Sequence, residues 1–491
     1  MINSLCILGG GNAGLMAALY LKTSLPALDI TLIKSKKIGT IGVGEGSTEH
    51  WTRFAKAIDI NMIDLIKECG ATIKIGIKFE NWHGDGTSYF HSLPEFLSTM
   101  APYNGAPYSL MRMIGDGVGT EQLHWQVPMD GYVREPLTDY YQFHFDSEKL
   151  NAFLQKKCAI ANIKLIDAEI TGPIIDAEGF VKSIVDESGK EYSADFFIDS
   201  SGFNRVIASK LGASWVDWSK HLPMNSAIAF QTGYEENIPP YTLAKAMDAG
   251  WHWRSPVQDR FGNGYVFSDQ FITEGQAIDE IQKHFKDTIH VGRKINYVSG
   301  KVNRAWIKNC VSIGLSSNFV EPLEASSIST TIKQTELLSL SIWNWTRDDT
   351  STINKYNEVV DDMMYNILDF IQLHYFTQRN DTEFWRWCRN EIKLTDFNAT
   401  YLEYFKKNFV HSHMFNAPML LFSQLNYIQV MHGLRLFDQE RLKEKYDAHM
   451  SKRYDPIVNQ LLFDDVEYTK RVPSWPHREA LDIIMERYYS I

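Results

Sequence analysis

The period of the hydrophobic positions changes several times along the chain. Leu5 to Leu8 is a short apolar run, Leu15 to Leu21 is rich in good helix formers, and Ile30 to Ile33 is apolar again. Short apolar runs bounded by glycine or polar residues predict strands, and the stretch between them predicts a helix. This strand–helix–strand order, with glycines between the first two elements, is the opening of a dinucleotide-binding fold. Residues 73–79 alternate Ile-Lys-Ile-Gly-Ile-Lys-Phe. A period of two predicts one strand with Lys74 and Lys78 on the same face. Ala194 to Ile198 and Cys310 to Ile313 read as further strands, whereas Tyr89 to about Asp146 is irregular and rich in Gly, Pro and aromatic residues. From about Thr346 the pattern turns helical and aromatic, as at Tyr365, Phe370, His374, Phe384 and Trp387.

Composition narrows the class. The 491 residues carry 49 Lys plus Arg against 60 Asp plus Glu, a net charge of −11. An acidic chain is poorly suited to nucleic acid or anionic membrane surfaces. The five cysteines, Cys6, Cys69, Cys158, Cys310 and Cys388, form no C-x-x-C pair, so they predict free buried thiols and no metal site. The N-terminus lacks the basic and apolar stretches of a signal peptide, and no apolar run is long enough to cross a bilayer. The expectation is a soluble, cytoplasmic protein.

The candidate chemistry lies at strand ends. Gly9-Gly10-Gly11-Asn12-Ala13-Gly14 fits G-x-G-x-x-G. Gly9 permits a tight turn, Gly11 lets backbone approach a pyrophosphate, and Gly14 allows close helix–strand packing. The second strand ends at Lys34, where an acid normally holds the ribose, so Lys34 or a backbone group takes that contact. Gly42 to Thr48, Asp199-Ser200-Ser201-Gly202 and Asn309 to Gly314 are further small-residue segments, the last two after apolar strands. Such sites spread from Leu8 to Gly314 point to a full FAD module. Glu321-Pro322-Leu323-Glu324-Ala325-Ser326-Ser327-Ile328 predicts a proline-led helix start whose free amides suit an anion. Glu324 and Ser326 there either complement the helix N-terminus or serve a site. Lys74 and Lys78 are either solvated or desolvated for function. Trp251 and Trp253, two apart, face the same way if they lie in a strand.

Together these segments resemble the flavin-dependent halogenases of the tryptophan halogenase type. The matching stretches are Gly42 to Glu45, Lys74 to Trp82, His144 to Asp146, Asp199 to Phe203, Phe261 to Tyr265, Asn309 to Gly314 and Phe319 to Glu324, with Phe384-Trp385 following Asp381-Thr382. The resemblance implies an α/β fold: an FAD-binding Rossmann-like module of the GR2/monooxygenase type (1–82 and 147–345) with a mainly helical substrate module (83–146 and 346–491). It implies that reduced FAD, supplied by a separate reductase and reaching the enzyme by diffusion, forms a flavin hydroperoxide. Halide then yields hypohalous acid, which passes through a tunnel to a lysine and halogenates an aromatic carbon. By position the catalytic pair is Lys74 and Glu324, and the halide amides are those of Ser326 and Ser327. The flavin-site positions are Gly9, Gly11, Asn12, Ala13, Gly14, Lys34, Val43, Glu45, Gly46, Ile170, Gly314, Leu315 and Ile328. His91, Leu93, Phe422, Tyr427 and Ile428 fall in the substrate pocket, and Trp251 and Trp253 beside the tunnel.

Several positions depart from the family pattern. Ser255 replaces the isoleucine of W-x-W-x-I-P, and Ser327 replaces the usual glycine at the halide turn. Leu93 stands where an aromatic ring is usual, while Phe422 and Ile428 replace larger partners of Tyr427. The aromatic clamp for free tryptophan is thus incomplete, and the expected substrate is an indole or another electron-rich aromatic rather than free tryptophan. A flavin monooxygenase that hydroxylates or epoxidises, and a non-catalytic FAD carrier, are the competing readings. The pairing of Lys74 with Glu324 argues against both. The oligomeric state is left open.

Overall fold

The computed structural model describes residues 2–37, 45–92, 105–117, 131–134, 142–343 and 345–489. The opening strand Ser4–Leu8 lies at the centre of a six-stranded sheet. Asp29–Lys34 and Phe196–Asp199 flank it in parallel, Lys164–Asp167 and Cys310–Ser312 extend it in parallel, and Trp306–Ile307 closes one edge antiparallel. Near-continuous apolar strands such as Leu5 to Leu8 suit a sheet covered on both faces. The helix Asn12–Ser24 crosses between the first two strands, and the helix Ser147–Ile160 feeds the strand Lys164–Asp167. The parallel order brings Gly9, Ser200 and the turn after Ser312 to one end of the sheet, where ligands bind in open α/β folds.

A second, seven-stranded mixed sheet runs Val291–Asn296, Ser226–Thr232, Phe261–Phe267, Gly250–Pro256, Tyr241–Ala246, Gly76–Glu80 and Ser88–Ser92. Gly264 in this sheet has a packing reason: a Cβ there would lie 1.8 Å from the Trp253 ring. From Thr350 onward the chain is largely helical, including Thr350–Leu373, Glu383–Asn390, Asp396–Lys407 and Gln424–Gly433. All five cysteines are buried and free. Among the described residues no helix is long and apolar enough to cross a membrane.

One expectation fails in an informative way. Residues 73–79 are not a single strand. Thr72–Lys74 pairs with Gln142–Phe145 in a small sheet that also holds Glu45–Gly46, whereas Gly76–Glu80 belongs to the seven-stranded sheet. The alternation runs through the junction because both pieces have a buried face, but Ile75 turns the chain from one sheet to the other. Lys74 and Lys78 therefore do not share a face of one strand. Lys74 is 1% exposed, while Lys78 is half-buried and lies over the Tyr241 ring.

Candidate active site

The glycine loop forms as its sequence requires. Gly9 has φ of +126°, and a Cβ on it would lie 2.2 Å from the Ser200 carbonyl oxygen. A Cβ on Gly14 would lie 2.1 Å from the Gly9 carbonyl oxygen, so helix and loop touch backbone to backbone. Gly11 differs, since a Cβ there would meet nothing within 4 Å. It caps the helix Asn12–Ser24 without a side-chain hydrogen bond. Open space before uncommitted helix amides fits the pyrophosphate of a dinucleotide. Gly314, at φ +63°, would place a Cβ 2.7 Å from that of Ala13, so the late strand end closes on the early helix.

The other expected flavin residues fall around this cradle. Asn12 Oδ1 accepts from Asn151 Nδ2 at 3.0 Å. Lys34 Nζ donates to Gln155 Oε1, and its Cβ would lie 2.4 Å from a Cβ on Gly10. Leu315 follows Gly314 in a 3₁₀ turn, and Ile328 is buried in the first turn of the helix Ser326–Ile342. Ile170 packs at the edge of a separate apolar cluster with Leu8, Ile33 and Val181. Val43, the side chain of Glu45, and Leu93 lie outside the described residues.

Lys74 sits over the next glycine. A Cβ on Gly46 would lie 3.3 Å from Lys74 Nζ, which donates to the Ser47 carbonyl at 2.8 Å. Burial lowers its pKa to about 8, against the opposing pull of Glu324 and Glu49. Both carboxylates thus act on the amine from within the protein interior.

Glu324 is 4% exposed. Burial alone would push its carboxyl up. The charges and hydrogen bonds of His91 and His374 outweigh that and hold it at about 2. His91 Nδ1 donates to both carboxylate oxygens, at 3.0 and 2.9 Å, and His374 Nε2 donates to Oε1 at 2.8 Å. The remaining ring nitrogens complete the picture. His374 Nδ1 donates to the Phe370 carbonyl at 2.9 Å, which fixes the orientation of this ring on Glu324. His91 Nε2 instead accepts from Asn426 Nδ2 at 3.1 Å, because Asn426 Oδ1 is already taken by the Ser423 amide.

The proline-led helix start divides in two. Pro322–Glu324 is a single 3₁₀ turn, Ala325 adopts the left-handed conformation at φ +52°, and the long helix begins only at Ser326. A left-handed alanine costs about 1–2 kcal/mol, and such outliers cluster at functional sites. The kink separates Glu324 from the amides of Ser326 and Ser327. No side chain caps those amides, so they remain available to an anion. Ser326 is buried and Ser327 exposed.

The substrate-pocket residues meet the same centre. Phe370 stacks on Phe422 at 4.0 Å and packs against Tyr427, His91 and His374 at 5.2, 5.5 and 5.1 Å. Ile428 is fully buried beside them in the core. Trp251 and Trp253 share a face of the strand Gly250–Pro256, with ring centroids 6.4 Å apart. The indole N–H of Trp251 acts on Glu321 without closing a hydrogen bond. Sequence reasoning missed His374 as a partner of Glu324, together with Asn426, Ser47, Glu49 and Glu321. A single buried histidine at the end of an aromatic helix carries no local mark of its partner.

Comparison with known proteins agrees with this geometry. The family model for tryptophan halogenase matches residues 4–449. The tryptophan 7-halogenase RebH of Lentzea aerocolonigenes is 31% identical, the match covering 87% of this chain and 85% of that one. The tryptophan 6-halogenase ThaL of Streptomyces albogriseolus is also 31% identical, over 80% of each chain. Among solved structures, the flavin-dependent halogenase Xcc4156 of Xanthomonas campestris superposes with a TM-score of 0.80 at 28% identity, covering 98% of both chains. The flavin-dependent halogenase BrvH of a Brevundimonas species gives 0.80 at 26%, covering 98% and 99%. The expectation that free tryptophan is not the substrate is not borne out by these relatives. On sequence and fold together, the chain belongs to the tryptophan halogenase family and is a flavin-dependent halogenase.

Proposed function

We propose that this halogenase uses Lys74 and Glu324 to halogenate an electron-rich aromatic ring of the indole type, tryptophan included. Reduced FAD from a separate reductase would, when bound, supply two electrons to oxygen, and the oxygen so activated would take two more from halide to give hypohalous acid and water. The observation that carries the reading is the burial of an amine and a carboxylate in one electrostatically linked interior site. A lysine with a pKa of about 8 is mostly an ammonium at neutral pH yet close to deprotonation. Its N–H hydrogen-bonds the oxygen of the hypohalous acid and protonates it as it leaves. The ring carbon takes the halogen, and the hydroxyl departs as water with the lysine proton. Glu324 faces the positive charge that develops on the ring. A carboxylate held at about 2 is a weak base, but the cationic ring is a strong acid, so the carboxylate can accept its proton. The ring becomes aromatic again, and the proton count closes through Lys74 and Glu324.

Halide is assigned to the amides of Ser326 and Ser327 at the kinked helix start, and the flavin to residues 1–82 and 147–345. The test supplies reduced FAD and oxygen with chloride, bromide or iodide in turn, and a panel of tryptophan, simpler indoles and phenols. Halogen mass shifts are the readout. Lys74→Ala should abolish halogenated product while flavin oxidation continues. Normal product from that variant would refute the assignment.

A further inference from the structure

The stretch around Lys74 is held from outside its own sheet. Thr72–Lys74 is an edge strand, with Gln142–Phe145 on one side only. Edge amides need an acceptor when buried. The Ile73 amide donates to His477 Nε2 at 2.9 Å, across 404 positions of sequence. The Ile75 amide donates to the Pro240 carbonyl at 2.7 Å. The Ile75 bond continues the ladder between Gly76–Glu80 and Tyr241–Ala246, whereas the Ile73 amide is fixed by an acceptor that belongs to no neighbouring strand.

His477 is placed for this contact. It is 2% exposed and opens the helix His477–Tyr489. The preceding strand Ser474–Pro476 pairs with Tyr132–Arg134, and the next residue, Arg478, donates to the carbonyls of Glu235, Glu236 and Gln258. Accepting from Ile73 requires the lone pair on Nε2, so the ring carries its proton on Nδ1, and the carbonyls of Ile238 and Pro239 lie beside the ring. Burial lowers its pKa to about 3, so the lone pair persists throughout the neutral range. The family match ends at residue 449, so nothing in it assigns a role to this histidine.

We propose that His477 is a positioning residue for Lys74: its imidazole supplies the acceptor that a missing neighbouring strand would have given, and so fixes where the lysine amine stands. This rests on the reading of Lys74 as the residue that receives the oxidant. A displaced amine captures less hypohalous acid, which then escapes.

The experiment measures coupling, the halogenated product formed per flavin oxidised, with a thiol scavenger reporting free hypohalous acid. His477→Leu removes the acceptor. His477→Phe also removes it while filling the space, and takes the place of the leucine variant should that one fail to fold. His477→Gln keeps an acceptor, and Arg478→Ala loosens the same segment without touching Ile73. Loss of the acceptor should lower coupling about tenfold or more and raise free hypohalous acid, with flavin oxidation unchanged. The glutamine variant should restore coupling, and Arg478→Ala should lower thermal stability alone. Unchanged coupling in the acceptor-less variants overturns the proposal. So does a glutamine variant as poor as leucine, or an Arg478→Ala variant as uncoupled as His477→Leu. Lys74→Ala is run beside them. If it stays coupled, the role of Lys74 falls, whereas if it uncouples and His477→Leu does not, only the role of His477 falls.

Discussion

Glu321 and Glu324 stand three residues apart on one turn, both buried, and their carboxyls behave in opposite ways. Burial pushes Glu321 up to about 8; its partners are the hydroxyl of Tyr375 and the indole of Trp251, neither of them a cation. Burial pushes Glu324 in the same direction, yet His91 and His374 bring it down to about 2. Desolvation has the same sign at both positions, so the partner decides the outcome. Neutral hydrogen-bond donors leave a buried acid protonated, and an imidazolium makes it a carboxylate. Near pH 7 one turn therefore presents a neutral acid toward Tyr375 and Trp251 and an anion toward Lys74.

Removing the charge of Glu324 is the sharpest way to break this contrast. Glu324→Gln should lower halogenation about 100-fold, the scale of losing one transition-state electrostatic contact. Flavin oxidation should persist, as single-turnover product analysis with parallel flavin absorbance would show. His374→Leu comes next. With only His91 left on the carboxylate, the Glu324 pKa should rise, and halogenation should fall about tenfold with an acidic limb appearing in its pH–rate profile. A profile of unchanged shape would show that His374 does not set the charge.

Glu321→Gln should do least. An amide replaces an already neutral acid of nearly the same shape, so halogenation near pH 7 should stay within about twofold. Its effect belongs in the pH dependence of stability. The folded pKa of about 8 lies above the ordinary 4.5, so this group's contribution is complete below 4.5 and is lost as pH rises through 8. Melting temperatures of the glutamine variant should therefore decline less across that window than those of the parent. Glu324 has the reverse sign: its contribution is complete above 4.5 and is lost as pH falls through about 2.

The cradle for the cofactor was legible because its demands are local. Gly9 must adopt positive φ and Gly14 must touch backbone, and both needs are written within six consecutive residues. The same holds for the paired tryptophans, whose shared face follows from strand geometry at Gly250–Pro256. Lys74 and Glu324 were found by resemblance to a family, not by pattern. The pattern around Lys74 misled, since its alternation ran unbroken across a change of sheet at Ile75. The proline before Glu324 likewise announced one helix where the chain makes a turn, a left-handed alanine and then a helix.

By itself the sequence determined the nucleotide loop, the α/β order of the first half, the helical second half and the membership of a family. The tertiary structure alone decided the ionic states at the centre. Glu324 meets His91 across 233 positions and His374 across 50, and Ile73 meets His477 across 404. Backbone conformation is set by neighbours in the chain, whereas the charge of a buried group is set by whichever side chains folding brings within a few ångströms of it.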